Sequence, residues 1–587
     1  MNSLIQRFKA YVNSNKLSVS LFLLLMVITT VITLYKLQIQ FNVDVGYWDT
    51  FQYLNFARRF AVTSLGNDLS LSPFLPYLTS FIFNLGYISS HAIFILDSII
   101  YLMGVLAFYC LLKMRFNAVE SFAGSIIYAT FTLVLTWVAV GGIDLASVSI
   151  SIMALLFTVL AVKKDSRYYY LAFPLAVIAF FTKYTAGLIG LLILFYIFTN
   201  KDYLKNLKNI IIGILIGGII SARFIIYFYT TIGNPFPFFG QFKGTVSNAA
   251  TTIDSGFNPD YLFYLKNLPN YISSISHQSD FTGFLNPSLS DPTFIAYLLL
   301  GIMVLGLVIY LFNIIKKLNE LKNGYGILKT KMGWLKLGVF IVLLVILFVT
   351  MGSVSYVLSI IIVSIIFLLI YQFLETLDIK KIDMDIMFFF WLAVYLIFNS
   401  ILATKNDRYF VNVMPALAFL VVLAVNCISS KVKFNYRNLN LSSWLSIALV
   451  ILVLSSSLAF LDNIPEKNYA HDMESISKWL QNYDGEIFSK VIYSNHWPGF
   501  EWYLKKRIYR AVPQTKESMF KKIGDLNEFS KFLQDKKAYY YIYKGTDLSI
   551  PDYHIIKRVG MFTLYEIDNP ELLEEPDYIQ YKPGIII

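Results

Sequence analysis

The segment Gly46-Tyr-Trp-Asp49-Thr-Phe-Gln-Tyr53-Leu-Asn-Phe-Ala57-Arg58-Arg59 puts a carboxylate and two guanidinium groups into one short stretch. It follows directly on a long apolar run. Asp49, Tyr53 and Ala57 share a helix face by i, i+4, i+8 spacing. Asp49 can cap the start of that helix, with Gln52 completing a capping-box-like pattern. The same position keeps the acid ionised and able to orient a hydroxyl or take its proton. Asp44 is the nearby competitor, either as a second site acid or as a solvated loop residue.

Three more charged residues sit where the chain pattern disfavours them. Asp144 opens an apolar run just after Gly141-Gly142. It reads as an interfacial N-cap or, if it faces Asp49, as half of a pair that could hold a divalent metal ion or polarise an acceptor. Lys183, in Phe-Phe-Thr-Lys-Tyr-Thr-Ala-Gly, lies between two apolar runs on the lysine-poor side. It either snorkels to headgroups or binds a phosphate. Arg408, in Thr-Lys-Asn-Asp-Arg-Tyr-Phe, shows the same anomaly, as does Arg58. Cations gathered there suit an anionic lipid phosphate. Tyr53, Tyr184 and Tyr409 adjoin these residues as supporting groups. His277, His471, His496 and His554 lack any HExxH-like spacing and read as surface or packing residues. Cys110 and Cys427 fall inside apolar runs and read as core.

The elements that must position these groups are membrane spans. The chain has 587 residues, of which 57% are hydrophobic and only 14% charged, too few charges for a soluble protein of this size. About 13 apolar runs approach or reach bilayer length, near 17–37, 91–112, 119–140, 143–162, 168–181, 185–199, 208–231, 293–315, 335–351, 354–374, 385–403, 409–428 and 443–461. The first is too long for a signal-peptide core and reads as a retained span. The +11 net charge is spread over loops rather than patched, which argues against nucleic acid and for anionic lipid.

Lys113/Arg115, Lys163/Lys164/Arg167, Lys201/Lys205/Lys208, the lysines of 316–336 and Lys431/Lys433/Arg437 mark one face as cytoplasmic. The acidic loop Glu375 to Asp385 breaks that trend. The N-terminus is then cytoplasmic, in a plasma membrane. The other face receives the first loop, 38–90, with surface-helix candidates at Thr50–Ala61 and Pro73–Gly86. It also receives a lid-like loop, 233–292, and the C-terminal region. Residues 1–464 read as the transmembrane catalytic domain. Residues 465–587 read as a small extracytosolic α/β domain, with strands near 487–493, 538–544 and 560–567 and helices at 472–483 and 526–534.

The run Asp49-Thr-Phe-Gln-Tyr53-Leu-Asn-Phe-Ala57-Arg58 resembles the D-E-x-x-Y-x-x-x-A-R first-loop motif of the C-superfamily (GT-C) of polytopic glycosyltransferases. Protein O-mannosyltransferases and lipid A aminoarabinose transferases are among them. Thr50 stands where that motif has its second acid. Leu71-Ser72-Pro73-Phe74-Leu75-Pro76, Gly142-Ile143-Asp144, Phe181-Thr182-Lys183 and Arg408-Tyr409 with Met414-Pro415-Ala416 resemble later motifs in the same order. The WWDxG motif of oligosaccharyltransferases is absent from the sequence.

The resemblance implies an enzyme that moves a hexose or pentose from a polyprenyl-phosphate (or dolichyl-phosphate) donor to an acceptor hydroxyl, with inversion. It implies Asp49 as the catalytic acid, and Lys183, Arg408 and Arg58 as donor-phosphate ligands. Asp144 and Asp44 would serve the acceptor or a divalent metal. The acceptor is a protein, a lipid or a glycan. A flippase for lipid-linked glycans should instead show repeat symmetry and polar mid-membrane residues. A non-catalytic assembly subunit would use Asp49 and Asp144 only as caps.

Overall fold

The computed structural model describes residues 14–62, 71–199, 203–239, 258, 260–320, 331–350, 356–375, 379, 381–402, 404–432, 434–437, 439–513 and 524–573. Lys201, Lys322, Lys329, Lys433 and the middle of loop 233–292 lie outside them.

Helices occupy every apolar run read from the sequence. Among the described residues, nine are long and apolar enough to cross a membrane, from Lys16–Val43 to Leu441–Asp462. Tyr184–Phe198 and Trp334–Val349 are apolar but shorter. Tyr169–Thr182 has 14 residues with Pro174 inside. The protein is a multi-pass membrane protein.

The run 119–140 is not one span. Helix Ala118–Thr130 starts on a capping box of Asn117 and Glu120 and stops at Phe131, whose ψ of 133° leaves the helical region. A second short helix, Thr132–Trp137, follows. The break frees the Thr132 hydroxyl oxygen to accept the Ser274 N–H at 2.9 Å, tying a distant loop to the bundle.

Small residues let the spans approach closely. Gly104 faces Ser149 so tightly that a side chain there would overlap it. Gly213 and Gly217, one turn apart, admit the backbone of Tyr169 and Phe173. Lipid offers no hydrophobic drive between helices, so this contact is what holds them. Ile143–Lys163 and Asp407–Ser429 are the most enclosed spans; Lys16–Val43 lies at the rim.

The acidic loop that broke the charge trend has a structural cause. Asp385 receives Arg115 through Nε at 2.6 Å and Nη2 at 3.0 Å, plus the Tyr310 hydroxyl at 3.1 Å. Asp383 pairs with Lys163 at 3.0 Å and accepts from Tyr196 at 2.6 Å. These acids neutralise basic neighbours of their own face.

The C-terminal region forms a five-stranded sheet in the order Tyr509–Arg510, Val491–Ser494, Ala538–Lys544, Phe562–Ile567, Tyr553–Val559. The first two pairings are parallel and the last two antiparallel. Helices Ala470–Tyr483, Trp497–Leu504 and Leu526–Asp535 accompany it. The sequence pattern marks two of these helices and three of the strands; Trp497–Leu504, Tyr553–Val559 and the short Tyr509–Arg510 are additions.

Helix Trp48–Val62 lies between this sheet domain and the bundle. Phe51, Leu54, Phe56 and Ala57 are buried, and so are Asn55 and Arg58. Its polar side does not face water. Asn55 Nδ2 donates to the Pro498 carbonyl at 2.9 Å, and the Trp48 ring lies 4.3 Å from that of His496. Asn468 Nδ2 closes the junction by donating to the Val43 and Val45 carbonyls at 2.8 and 3.0 Å.

Candidate active site

Four charged side chains from four elements meet at the end of the bundle covered by the sheet domain. Asp49 comes from the first turn of helix Trp48–Val62. Asp144 comes from the first turn of Ile143–Lys163, which Gly142 caps. Lys183 sits in extended backbone (φ −153°, ψ 123°) between Tyr169–Thr182 and Tyr184–Leu188. Arg408 belongs to the 3-10 turn Asp407–Val413, where Asn406 Oδ1 accepts its N–H at 3.2 Å.

The charges alternate. Arg408 Nη1 donates to Asp49 Oδ2 at 2.8 Å and lies 3.7 Å from Asp144 Oδ2. The Lys183 ammonium pairs with Asp144 Oδ1. The Tyr47 hydroxyl donates to Asp49 Oδ2 at 2.6 Å. Aromatic faces flank both cations. The Arg408 guanidinium stands 4.7 Å from the Tyr47 centroid and 5.2 Å from that of Tyr409, and Lys183 is 4.7 Å from Tyr409. Such cation–π contacts are strongest where water is excluded. Side-chain exposure rises from 2% at Asp144 through 11% at Lys183 and 13% at Arg408 to 23% at Asp49. Asp49 is therefore the member most open to a substrate.

The turn carrying Arg408 is fastened by the long loop. Asp407 accepts the Tyr271 hydroxyl at 2.8 Å and the Ser288 N–H at 2.8 Å. The Tyr264 hydroxyl reaches the Asn406 carbonyl at 3.2 Å. The neighbouring Lys405 is engaged elsewhere. Its ammonium donates to the carbonyls of Asn399 at 3.0 Å and Ser400 at 2.6 Å, and also to Leu402, capping the end of Ile382–Ile401. Burial pushes its pKa down to about 8.

The structure brings Asp49, Asp144, Lys183, Arg408 and Tyr409 together and leaves the other expected residues apart. Arg58 does not reach this cluster: its guanidinium lies 4.9 Å from the Trp502 ring of the sheet domain. Burial pushes Arg58 down from its ordinary pKa, and Glu501 acts in the opposite direction. Glu501 itself is pushed up to about 7 by burial. Asp44 accepts the Ser90 hydroxyl at 2.6 Å and the Tyr503 hydroxyl at 2.7 Å, and so ties the bundle to the sheet domain. Tyr53 is buried in the core. Tyr184 donates to the Leu71 carbonyl at 3.2 Å and packs against Phe180 and Phe238.

Sequence reasoning missed Tyr47, Thr50 and Asp97. The Thr50 hydroxyl, at the position of the motif's second acid, donates to the Val140 carbonyl at 3.2 Å. Asp97 lies inside the span His91–Leu112 and accepts the Gly141 N–H at 3.1 Å. An acid within an apolar run was the available signal.

The donor set fits a divalent metal poorly. Asp49 already holds Arg408, and Asp144 already holds Lys183. Among the described residues no group of three or more His, Cys, Asp or Glu side chains converges. The cationic places between the two acids belong to side chains of the chain itself.

Residues 70–227 match the family model described as dolichyl-phosphate-mannose-protein mannosyltransferase. That stretch contains Asp144 and Lys183 but neither Asp49 nor Arg408. No curated protein sequence matches the chain. The crystal structure of ArnT from Cupriavidus metallidurans in the apo state is similar over 94% of this chain and 99% of its own, with a TM-score of 0.53 and 11% identity. The same protein bound to undecaprenyl phosphate gives a TM-score of 0.54 at 11% identity, with the same coverage. The shared course of the chain, spans and sheet domain together, gives this protein the fold of the Cupriavidus ArnT structures.

Proposed function

We propose that the protein transfers a monosaccharide from a polyprenyl-phosphate donor to an acceptor hydroxyl, inverting the anomeric centre, on the extracytosolic side of the plasma membrane. The observation that carries this reading is the Arg408 guanidinium, shared between Asp49 and Asp144 and flanked by Lys183. The undecaprenyl phosphate of the Cupriavidus protein and the mannosyl donor named by the family model support a lipid-phosphate sugar here. Lysine-rich loops at the opposite end of the bundle support the orientation.

Asp49 orients the acceptor hydroxyl and takes its proton. The acceptor oxygen bonds to the anomeric carbon while the bond from that carbon to the phosphate oxygen breaks. The donor phosphodiester carries one negative charge and the released monoester two. One negative charge thus leaves Asp49, which becomes neutral, and appears on the leaving phosphate. Arg408 loses its ionic partner at the moment a new anion forms beside it. Its Nε, with no partner among the described residues, is a donor that such an anion would satisfy. Lys183, held by Asp144, supplies the second cation. Preorganised donors of this kind stabilise charge as it develops, without reorganisation. On this reading Arg58 and Asp44 dock the sheet domain and take no part in phosphate binding. The chain's own cations do what a metal ion would do.

The test uses the purified full chain in nanodiscs with radiolabelled polyprenyl-phosphate sugars, a hexose and a pentose series. Release of polyprenyl phosphate, dependent on an added membrane or glycan extract as acceptor, is the expected result. Movement of intact donor across a bilayer without release would mark a flippase instead. Absence of both would leave a non-catalytic subunit.

A further inference from the structure

The two acids of the cluster are spaced by a strained turn, and that turn hangs on Asp97. Between helices Thr132–Trp137 and Ile143–Lys163 the backbone turns left-handed twice, at Ala139 (φ 63°) and Gly141 (φ 75°). A left-handed alanine is strained because its Cβ crowds the following carbonyl oxygen. Gly141 has no room for a side chain: a Cβ there would meet Ile93 at 2.9 Å, Thr50 at 3.0 Å and Phe94 at 3.1 Å. Strain of this kind persists only where the surroundings over-determine it.

Two side chains hold the turn. Thr50, the neighbour of Asp49, donates its hydroxyl to the Val140 carbonyl at 3.2 Å. Asp97, wholly buried, accepts the Gly141 N–H through Oδ2 at 3.1 Å. Its Oδ1 has no hydrogen-bond partner, and no cation pairs with the carboxyl, among the described residues. The carboxyl is thus committed to the turn. Asp144 lies three residues beyond Gly141, at the start of the helix that the turn launches.

We propose that Asp97 is a positioning residue that fixes Asp144, and through it Lys183, against Asp49. This rests on the transfer reading of the site. Asp97 touches none of the reacting groups. It acts as a hydrogen-bond acceptor that sets where the turn lies, and misplacement of a catalytic group by an ångström is costly.

The experiment compares Asp97→Asn, Asp97→Leu and Thr50→Val with wild type in nanodiscs, using a polyprenyl-phosphate sugar as donor. Asparagine keeps a carbonyl acceptor for Gly141, whereas leucine does not. Asp97→Leu should lower kcat/KM for the donor by roughly ten- to a hundred-fold. Asp97→Asn should restore most of the rate. Hydrogen exchange of the 138–144 segment should quicken in Asp97→Leu and stay near wild type in Asp97→Asn. Equal impairment of the two Asp97 variants overturns the proposal, because the acceptor role would then not suffice. So does exchange in 138–144 that Asp97→Leu leaves unaltered. Exchange is read without activity. A wild type that transfers no sugar therefore defeats the transfer reading, while the exchange rates still decide whether Asp97 holds the turn. Should Asp97→Leu fail to accumulate, Thr50→Val loosens the other tie. It is expected to quicken the same exchange, and an unchanged segment counts against the proposal.

Discussion

Arg408 reaches across the molecule to bind Asp49, 359 residues earlier in the chain, at 2.8 Å. The most exposed acid and a cation of the cluster are thus one preassembled pair. An acid held in this way has a defined direction and resists drift toward other hydroxyls. The Tyr47 hydroxyl at 2.6 Å fixes its rotation further.

Replacement of Asp49 by asparagine preserves an acceptor oxygen for Arg408 and Tyr47, so the folded protein should accumulate normally. Transfer should fall by about 10²–10⁴, the usual worth of a general base. Turnover by Asp49→Asn equal to wild type would remove the base from this position.

Lys183 and Asp144 should behave as one unit. Removing either partner leaves a buried charge poorly compensated, a loss of roughly 3–5 kcal/mol. Lys183→Met and Asp144→Asn should each lower the unfolding midpoint sharply in detergent, and the double variant should recover part of the loss. Strict additivity would show that the two residues do not interact in solution.

Arg58 belongs to domain docking on the present geometry. Arg58→Ala removes a cation–π contact worth about 0.5–2 kcal/mol. The sheet domain should become more sensitive to protease while donor KM stays as in wild type. A raised donor KM with unaltered proteolysis would return Arg58 to the phosphate site.

Glu501 gives the docking a pH dependence. Burial raises its folded pKa from 4.5 to about 7. Below 4.5 both folded and unfolded chains hold the proton, and the contribution is fully present. As pH rises from there to about 7, the unfolded chain gives up a proton that the folded chain keeps. Stability therefore drops through this window, by ~1.4 kcal/mol per unit at most. Thermal unfolding of wild type should show this slope, and Glu501→Gln should flatten it. An identical slope in the variant would assign the effect to another group.

Chelation is the fifth test. With Asp49 and Asp144 already occupied by Arg408 and Lys183, dialysis against a chelator should leave the transfer rate unchanged. A rate lost on dialysis and restored by one divalent cation would place a metal in the cluster.

Much of this was legible in the residues. Lys183 and Arg408 stood out because cations on the lysine-poor side need a reason to be there, and Asp49 because it opens a helix directly after a long apolar run. The spans followed from apolar length alone. Arg58 misled because its partner, Trp502, is 444 residues away in another domain, and nothing local reports such a neighbour. The apolar face of helix Trp48–Val62 fitted a membrane surface equally well, since hydrophobic spacing does not distinguish lipid from protein. The break at Phe131 was hidden for a similar reason: Thr132 turns aside to meet Ser274, a long-range contact. Asp97 stood in plain view inside an apolar run, and only its hydrogen bond to Gly141 gives it a purpose.

The cover over helix Trp48–Val62 has a consequence for biosynthesis. The helix is synthesised before His496, Pro498 and Trp502, the residues that enclose it. On the proposed reading, a chain to which those residues have yet to be added holds Asp49 in an unfinished seat, and transfer would wait for the sheet region to fold over it.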